Sequence, residues 1–276
     1  MALAATRPVP VGPTRIGGGG PLVLIAGPCV IESRELTLSV AETLRDLCAD
    51  AGLPLIFKSS YDKANRTHLG SYRGPGLEEG LDILAQVRDQ LDLPVTTDVH
   101  APEQAARVAQ AVDLLQVPAM LCRQTDLLVA CGETGLPVNV KKGQFMAPWD
   151  LGPAVAKVAQ AGAGGVIVTE RGTSFGYDSL VADLRTPGII RRQGVPVVFD
   201  ATHAVKLPPK VSGQREHAPA LARAAVAAGV DAVFLEVHPD PDRALSDGPN
   251  MLALDGLGPL LNTLAAIHGL VHGDKS

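Results

Sequence analysis

The chain has 276 residues, of which 46% are hydrophobic but only 3% aromatic, and its formal net charge is −5. This length allows one large domain with a substantial core. A core built from Val, Leu, Ile and Ala is typical of parallel α/β folds, whose strands are buried on both faces. The negative charge and the lack of a long basic run argue against a nucleic-acid or membrane partner.

The first 20 residues contain Pro, Gly and Thr without a continuous apolar segment, so they do not resemble a signal peptide. Four consecutive glycines at 17–20 predict a flexible join between an N-terminal extension, residues 1–20, and a single folded domain, residues 21–276. The four cysteines form no CxxC pair, so reduced thiols and a cytoplasmic location are expected. No stretch approaches the roughly 20 apolar residues of a membrane span.

Eight short aliphatic runs, each followed by a polar tip, predict buried β-strands. They cover 22–26, 55–57, 95–97, 114–117, 138–140, 166–169, 197–199 and 232–235. Between many of them lie segments whose apolar residues repeat with helical periodicity, at 36–51, 77–91, 101–111, 148–161 and 219–228. This alternation requires a parallel sheet, and eight units in roughly 250 residues predict an α/β fold of the closed (β/α)8 TIM-barrel type. An open doubly wound sheet is the alternative, but the Gly-x-Gly-x-x-Gly turn is missing after the first strand.

In a (β/α)8 barrel, catalytic groups gather at the carboxyl ends of the strands. Nearly every predicted strand here is followed by a side chain that can carry charge, move a proton or bind a metal. These tips are Cys29, Lys58, Ser59, Ser60, Asp98, His100, Gln116, Lys141, Lys142, Glu170, Arg171, Asp200, His203, Glu236 and His238. We therefore expect them to converge in one site.

One set of these side chains is cationic. Residues 58–66, directly after a buried strand, supply three cations, two serine hydroxyls and an amide, which are donors suited to phosphate. The full set comprises Lys58, Lys63, Arg66, Lys141, Lys142 and Arg171. So much positive charge at one place costs repulsion unless anions occupy it, so the set predicts phosphate-ester ligands. For any single member, a surface salt bridge is the alternative.

A second set combines a thiol, an imidazole and two carboxylates, which suit one divalent ion such as Zn²⁺, Fe²⁺ or Mn²⁺. Its members are Cys29, His203, Glu236 and Asp247. Taken singly, each has a structural alternative: a buried apolar cysteine, a hydrogen-bonded histidine or a solvated carboxylate. Barrel topology brings three of them to one mouth, whereas Asp247 has to arrive on a loop.

The motifs around these residues resemble the 3-deoxy-D-manno-octulosonate 8-phosphate synthase family, also called 2-dehydro-3-deoxyphosphooctonate aldolase. The resemblance extends over about residues 22–262, with the motifs in family order. The matching segments are AGPCVIES at 26–33, FKSSYDKANR at 57–66, TDVH at 97–100, QVPA at 116–119, VNVKK at 138–142, TERG at 169–172, DATH at 200–203 and LSDG at 245–248.

This resemblance implies condensation of phosphoenolpyruvate with D-arabinose 5-phosphate and water, with release of inorganic phosphate, in lipopolysaccharide (Kdo) biosynthesis. It also implies a homo-oligomer, a tetramer. The residues matching the phosphoenolpyruvate site are Lys58, Ser60, Lys63, Gln116, Lys141 and Arg171, and those matching the sugar-phosphate site are Asn65, Arg66 and Thr67. The expected catalytic residues are Lys58, Lys63, Asn65, Asp98 and His203, with His203 also expected to contact substrate. The implied metal ligands are Cys29, His203, Glu236 and Asp247, and the cysteine marks the metal-dependent members of the family.

The chain departs from the family pattern at two places. His68 stands where the family usually has serine, which bears on the sugar-phosphate pocket. Residues 206–217 are shorter than the glycine-rich loop common in metal-dependent members, which bears on closure of the site. Asp98 and His100 are candidates for contacts with the sugar or for proton movement.

Three alternative functions remain open at this point. A related synthase uses erythrose 4-phosphate, but it has Pro-Arg where this chain has Ala64 and Asn65. A metal-dependent barrel aldolase needs no phosphoenolpyruvate and releases no phosphate. A non-catalytic barrel is expected to lack some of the strand-end ligands, and this chain retains them.

Overall fold

Eight parallel strands form a closed barrel in the computed structural model, which describes residues 3–66, 68–177, 179–206 and 213–273. The strands are β1 (Val23–Gly27), β2 (Leu55–Lys58), β3 (Val95–Asp98), β4 (Leu114–Val117), β5 (Val138–Lys141), β6 (Val166–Glu170), β7 (Val197–Asp200) and β8 (Ala232–His238). Each strand pairs with the next, and β8 pairs with both β7 and β1, which closes the ring. The predicted (β/α)8 fold and its eight strands are confirmed.

Helices surround the barrel. They are α1 (Arg34–Asp50), α2 (Leu77–Leu91), α3 (Ala105–Val108), α4 (Thr125–Glu133), α5 (Gly152–Gln160), α6 (Thr186–Arg191), α7 (Ala218–Ala227) and α8 (Leu257–His272). The predicted helices at 101–111 and 148–161 begin instead with 3₁₀ turns, Pro102–Gln104 and Pro148–Leu151. Proline fits such a first turn because its missing N–H has no partner there. None of the helices in the described ranges is both long and apolar enough to span a membrane.

The strands are buried on both faces, which explains their aliphatic composition. Alternate residues such as Leu24 and Ala26 pack outward in a large cluster between the sheet and the helices. The residues between them, such as Val23 and Ile25, point into a smaller cluster inside the barrel. Because successive side chains of a strand point to opposite faces, each strand turns one set of side chains toward the helices and the other toward the barrel interior.

A β-hairpin belongs to this inner cluster. Val9–Val11 pairs with Thr14–Ile16 in antiparallel fashion, and its apolar side chains join the apolar residues inside the barrel. A methyl group added at Gly165, just before β6, would lie 2.6 Å from a Val9 methyl, so the hairpin sits against the amino-terminal end of the barrel. The sequence predicted flexibility for residues 1–20. Residues 9–16 instead have a fixed place, because the barrel end would otherwise leave apolar side chains in water.

Candidate active site

A cavity of about 870 Å³ opens at the carboxyl ends of the barrel strands. It is lined by ten of the predicted site residues: Lys58, Lys63, Asn65, Arg66, Asp98, Lys141, Arg171, His203, Glu236 and Asp247. Cys29, Ser60 and Gln116 are fully buried and are not among the lining residues. Thr67, predicted to contact the sugar phosphate, lies outside the described residues.

The end of β1 lies unusually close to β2. A Cβ atom added at Gly27 would lie 2.0 Å from the carbonyl oxygen of Lys58, so only glycine permits this approach. Beyond it, the Lys58 ammonium donates to the carbonyl oxygen of Cys29 and to Glu236 Oε1, each at 3.2 Å. This buried lysine therefore ties β2 to β8 and to the segment that carries the cysteine.

The four predicted metal ligands lie close together, and three of them, His203, Glu236 and Asp247, line the cavity. The Cys29 sulfur and carboxylate oxygens of Glu236 and Asp247 all lie within 4.8 Å of one another. His203 Nε2 lies 3.7 Å from Glu236 Oε2 and 3.8 Å from Asp247 Oδ2. Within the described part of the chain, Glu236 Oε2 is buried without a hydrogen-bond partner. A buried orphan oxygen next to a thiol and an imidazole is an arrangement that a cation can satisfy.

The charges in this group are partly balanced by protein cations. Asp247 sits at a loop position with φ of 52°, and Lys206 Nζ lies 2.7 Å from both of its carboxylate oxygens. Burial opposes ionisation, but Lys206 and His203 hold the pKa of Asp247 well below its usual value. For Cys29, burial and the neighbouring Glu236 raise the pKa to about 12. The thiolate form therefore requires a cation at the sulfur.

A chain of hydrogen bonds runs beneath the cavity from β6 to β2. Thr169 Oγ1 donates to Asn139 Oδ1 at 2.7 Å, and Asn139 Nδ2 donates to Gln116 Oε1 at 3.0 Å. Gln116 Nε2 then donates to Asp98 Oδ1 at 2.8 Å, while Ser60 donates to Asp98 Oδ2 at 2.6 Å. Both amide ends of Gln116 are thus engaged in this chain, and its predicted contact with phosphoenolpyruvate stays a prediction.

Asp98 is the acceptor at the end of that chain. Burial alone raises the pKa of its carboxyl group, but Lys58 and Lys63 outweigh this and hold the pKa well below its usual value. The Lys58 ammonium lies 3.7 Å from Asp98 Oδ2. An ionised carboxylate with both oxygens occupied is suited to fixing the two lysines rather than to donating a proton.

Lys141 and His203 meet at one carboxylate. Lys141 Nζ lies 2.5 Å from Asp200 Oδ2 and 3.9 Å from the centre of the Phe234 ring. His203 Nδ1 lies 2.7 Å from the same Asp200 oxygen. Burial opposes ionisation of Asp200, but His203 and Lys141 hold its pKa well below the usual value. This contact leaves His203 Nε2 on the side of the two carboxylates.

Two adjacent cations of the predicted set, Lys141 and Lys142, have different surroundings. Lys141 faces the cavity, whereas Lys142 is fully buried, contacts carbonyl oxygens and does not line the cavity. The expectation that Lys142 belongs to the anion-binding set is therefore wrong. Arg171 does line the cavity, and its Nη1 is buried without a hydrogen-bond partner among the described residues.

Comparison with known proteins then places the chain among its relatives. A family model described as "DAHP synthetase I family" matches residues 6–269. The chain belongs to the DAHP synthetase I family. A relative from Geobacter metallireducens, named 2-dehydro-3-deoxyphosphooctonate aldolase, is 56% identical over 270 residues, covering 96% of this chain and 99% of the relative.

Two more relatives carry the same name. The one from Citrifermentans bemidjiense is 54% identical to this DAHP synthetase I family member over 271 residues, covering 97% of this chain and 99% of the relative. The one from Nitratidesulfovibrio vulgaris is 56% identical over 253 residues, covering 90% and 93%. The family resemblance predicted from the motifs is confirmed.

Three residues of this DAHP synthetase I family member contact the site but had no role assigned from the sequence. Asp200 orients Lys141 and His203, and the DATH motif at a strand end is the signal that pointed to it. Asn139 belongs to the hydrogen-bond chain, and its place in the VNVKK motif was the available signal. Lys206 contacts Asp247 from a loop and carried no such signal.

The rim of the cavity is formed by the segment after Lys63. Asn65 and His68 are exposed there, and Arg66 is half-buried with Nε donating to the carbonyl oxygen of Leu69 at 3.3 Å. His68 thus lies at the rim of the predicted sugar-phosphate site in this DAHP synthetase I family member. The shortened segment at 206–217 includes residues 207–212, which lie outside the described residues.

Proposed function

We propose that this protein condenses phosphoenolpyruvate with D-arabinose 5-phosphate and water, giving 3-deoxy-D-manno-octulosonate 8-phosphate and inorganic phosphate for lipopolysaccharide biosynthesis. The name shared by relatives 52–56% identical over almost the full chain supports this choice of reaction. Free thiols support a cytoplasmic location, since all four cysteines are buried and unpaired. The site assignment rests on the Arg171 guanidinium, which has a buried nitrogen without a hydrogen-bond partner among the described residues.

Arg171 presents a buried guanidinium nitrogen with no partner among the described residues, on the wall of a cavity that also contains Lys58, Lys63 and Lys141. Burial lowers the pKa of Arg171, which means that its charge is costly without a counter-ion. A phosphate and a carboxylate on one small molecule supply such counter-ions, and arginine binds either of them with two parallel hydrogen bonds. Phosphoenolpyruvate carries both groups.

We also propose one divalent metal ion, Zn²⁺, Fe²⁺ or Mn²⁺, held by Cys29, His203, Glu236 and Asp247. The short distances among Cys29, Glu236 and Asp247, the His203 Nε2 atom within 3.8 Å of both carboxylates, and the orphan oxygen Glu236 Oε2 support it. The mixture of sulfur, nitrogen and oxygen donors suits a borderline cation. When bound, the ion would polarise the aldehyde oxygen or the attacking water.

The proposed reaction forms one carbon–carbon bond and one carbon–oxygen bond and breaks one carbon–oxygen bond, and the two protons of the water end on the former aldehyde oxygen and on the released phosphate. C3 of phosphoenolpyruvate bonds to the aldehyde carbon of the open-chain sugar, whose oxygen takes up a proton. Water adds at C2, and phosphate leaves from C2 with its bridging oxygen. Lys58, Lys63, Lys141 and Arg171 hold the phosphate and carboxylate in place, so the two reactants meet in a fixed orientation and the entropic cost of bringing them together falls. Fixed positive charges also stabilise the charge that develops during transfer.

The sugar phosphate is proposed to bind at the rim, near Asn65 and Arg66. These side chains lie on the same cavity as the proposed phosphoenolpyruvate site, toward its exposed edge. We propose a homotetramer, in which a second copy covers part of the mouth. Large apolar side chains near the mouth support this, since Met120 is 53% exposed and Phe175 is 72% exposed.

The test measures phosphate release by purified protein supplied with phosphoenolpyruvate and either D-arabinose 5-phosphate or erythrose 4-phosphate, before and after rigorous chelation. We expect release with the five-carbon sugar phosphate, loss after chelation and recovery on adding Zn²⁺, Fe²⁺ or Mn²⁺. Release only with erythrose 4-phosphate would overturn the substrate assignment in favour of the related synthase. Full activity after chelation would overturn the metal proposal alone.

A further inference from the structure

Lys142 is a fully buried cation that the proposed reaction does not use. Its side chain is 0% exposed, and its ammonium lies 3.3 Å from each of three carbonyl oxygens, those of Gly143, Met146 and Gly172. Thr173 Oγ1 lies at 3.0 Å, which completes a shell of oxygens from two loops. One loop follows β5 and the other follows β6. A single ammonium group therefore cross-links the chain just beyond the two strands.

Glu170 completes this arrangement at the end of β6. Its Oε2 lies 3.5 Å from Lys142 Nζ, while Oε1 accepts hydrogen bonds from the backbone N–H groups of Arg171 at 3.0 Å and Gly172 at 2.5 Å. The carboxylate thus holds the backbone of the residue whose guanidinium lines the cavity. Burial lowers the pKa of Lys142 and raises that of Glu170, so the two charges depend on each other and on these contacts.

We propose that Lys142 is a positioning residue that, together with Glu170, fixes the backbone at Arg171 so that its guanidinium is preorganised for the anionic substrate. This inference rests on the proposed binding of phosphoenolpyruvate at Arg171. Lys141, one residue earlier, lines the cavity directly, whereas Lys142 fixes the backbone at the end of the neighbouring strand. A group held this way binds without paying for ordering at the moment of binding.

The first two variants both remove the Lys142 cross-link, but only the second of them also removes the charge of Glu170. Lys142→Met alone leaves the Glu170 carboxylate buried without its partner, so we expect a lower melting temperature. The double variant Lys142→Met/Glu170→Gln is neutral and keeps an oxygen for the Arg171 and Gly172 N–H groups, so we expect its melting temperature to recover. Its affinity for phosphoenolpyruvate, measured by titration calorimetry, should fall about tenfold or more because the two loops are no longer joined.

A milder variant keeps the inference testable even if the double variant does not fold. Thr173→Val removes one oxygen from the shell around the Lys142 ammonium, at a half-buried position. Thr173→Ser is its matched control, because serine keeps a hydroxyl oxygen there. We expect Thr173→Val to weaken phosphoenolpyruvate binding about two- to fivefold and to speed hydrogen exchange at the Arg171 and Gly172 amides, with both effects reversed in Thr173→Ser. The KM for D-arabinose 5-phosphate should change less than twofold in all variants.

The outcomes separate this inference from the proposed function. Wild-type protein that fails to bind phosphoenolpyruvate would overturn the proposed function, and this inference with it. Normal wild-type binding, with unchanged affinity in the folded variants, would overturn the positioning role alone. Equal losses of affinity for both substrates would also overturn the positioning role, because they would indicate a general structural defect and not a specific effect at Arg171.

Discussion

A thiol and two carboxylates, those of Cys29, Glu236 and Asp247, place one ligand atom each within 4.8 Å of one another. The two carboxylates carry like charges that repel at such distances, and burial strengthens the repulsion. Lys58 at 3.2 Å from Glu236 and Lys206 at 2.7 Å from Asp247 offset part of it. At the scale of single residues, each carboxylate of the site therefore has a lysine ammonium beside it, whereas the Cys29 sulfur has no such ion pair among the described residues.

The first residue-scale prediction concerns Cys29. Cys29→Ala should lower the affinity for the proposed divalent metal roughly tenfold or more, because one of four donors is lost. Metal content after dialysis, measured by elemental analysis, is the readout, with circular dichroism to verify folding. Cys48→Ala is the matched control, since Cys48 is equally buried but lies in α1. Equal metal content in the two variants would contradict the ligand assignment.

The second residue-scale prediction concerns Asp98 and acid. Because its folded pKa lies well below the unfolded value of about 3.9, Asp98 contributes stability that is present above about pH 4 and is lost as the pH falls below it. Asp98→Asn removes this contribution, so its unfolding free energy should fall less steeply than that of the wild type between about pH 4 and pH 3.

Urea unfolding at pH 5, 4 and 3 measures this slope. The difference approaches about 1.4 kcal/mol per pH unit if the carboxylate stays ionised in the fold. Asp126→Asn, at an exposed position in the first turn of α4, is the control and should follow the wild type. Parallel curves for Asp98→Asn and the wild type would show that Asp98 is not held ionised.

At the scale of elements, the two ends of the barrel are built for different tasks. The carboxyl ends of the strands carry polar and charged side chains around an open cavity. The amino-terminal end is closed by the hairpin of Val9–Val11 and Thr14–Ile16, whose apolar side chains join the inner cluster. Stability and catalysis are thus separated along the barrel axis, as expected for this fold.

The hairpin supplies the element-scale prediction. Ile16→Ala should lower the unfolding free energy by about 2–5 kcal/mol, because Ile16 is fully buried and its loss leaves a cavity in the inner cluster. Arg15→Ala, at the exposed neighbouring position of the same strand, should change it by less than about 0.5 kcal/mol. Urea unfolding gives both values.

Enzyme kinetics of the hairpin variant test whether the two ends of the barrel act independently. The KM for phosphoenolpyruvate in folded Ile16→Ala protein should match that of the wild type, because the hairpin lies at the opposite end of the barrel from the cavity. A raised KM in this variant would mean that the two ends are coupled.

At the scale of the whole molecule, charge is distributed unevenly. The chain carries a net charge of −5, yet the cavity at the carboxyl ends of the strands is lined by Lys58, Lys63, Lys141 and Arg171. An anionic substrate that binds only the folded state therefore stabilises the whole protein, by an amount that grows with the logarithm of its concentration once this exceeds the dissociation constant. This gives a test that does not depend on turnover.

Phosphoenolpyruvate at 100 times its dissociation constant should stabilise the fold by about 2.7 kcal/mol. For a chain of this size, that corresponds to a rise in melting temperature of roughly 5–10 °C. Arg171→Ala should reduce this rise at the same concentration, whereas Arg185→Ala, with a side chain 85% exposed, should retain it. Differential scanning fluorimetry makes the comparison, and an equal rise in both variants would argue against binding at Arg171.

The sequence by itself determined the eight strands, most of the helices and the residue types at the strand ends. These features are local: a strand buried on both faces has to be aliphatic, and a helix has to repeat its apolar residues every three to four positions. The motifs also identified the family, and with it the proposed substrates and metal ligands.

Tertiary structure alone decided which of these side chains meet. Alternation at the end of β5 predicts that Lys141 and the residue after it, Lys142, point in different directions, but only closure of the barrel shows which one faces the cavity. The same holds for the N-terminal hairpin and for Lys206 beside Asp247. Such contacts join residues far apart in the chain, so they form only when the chain has folded into the barrel that the pairing of the eighth strand with the first closes.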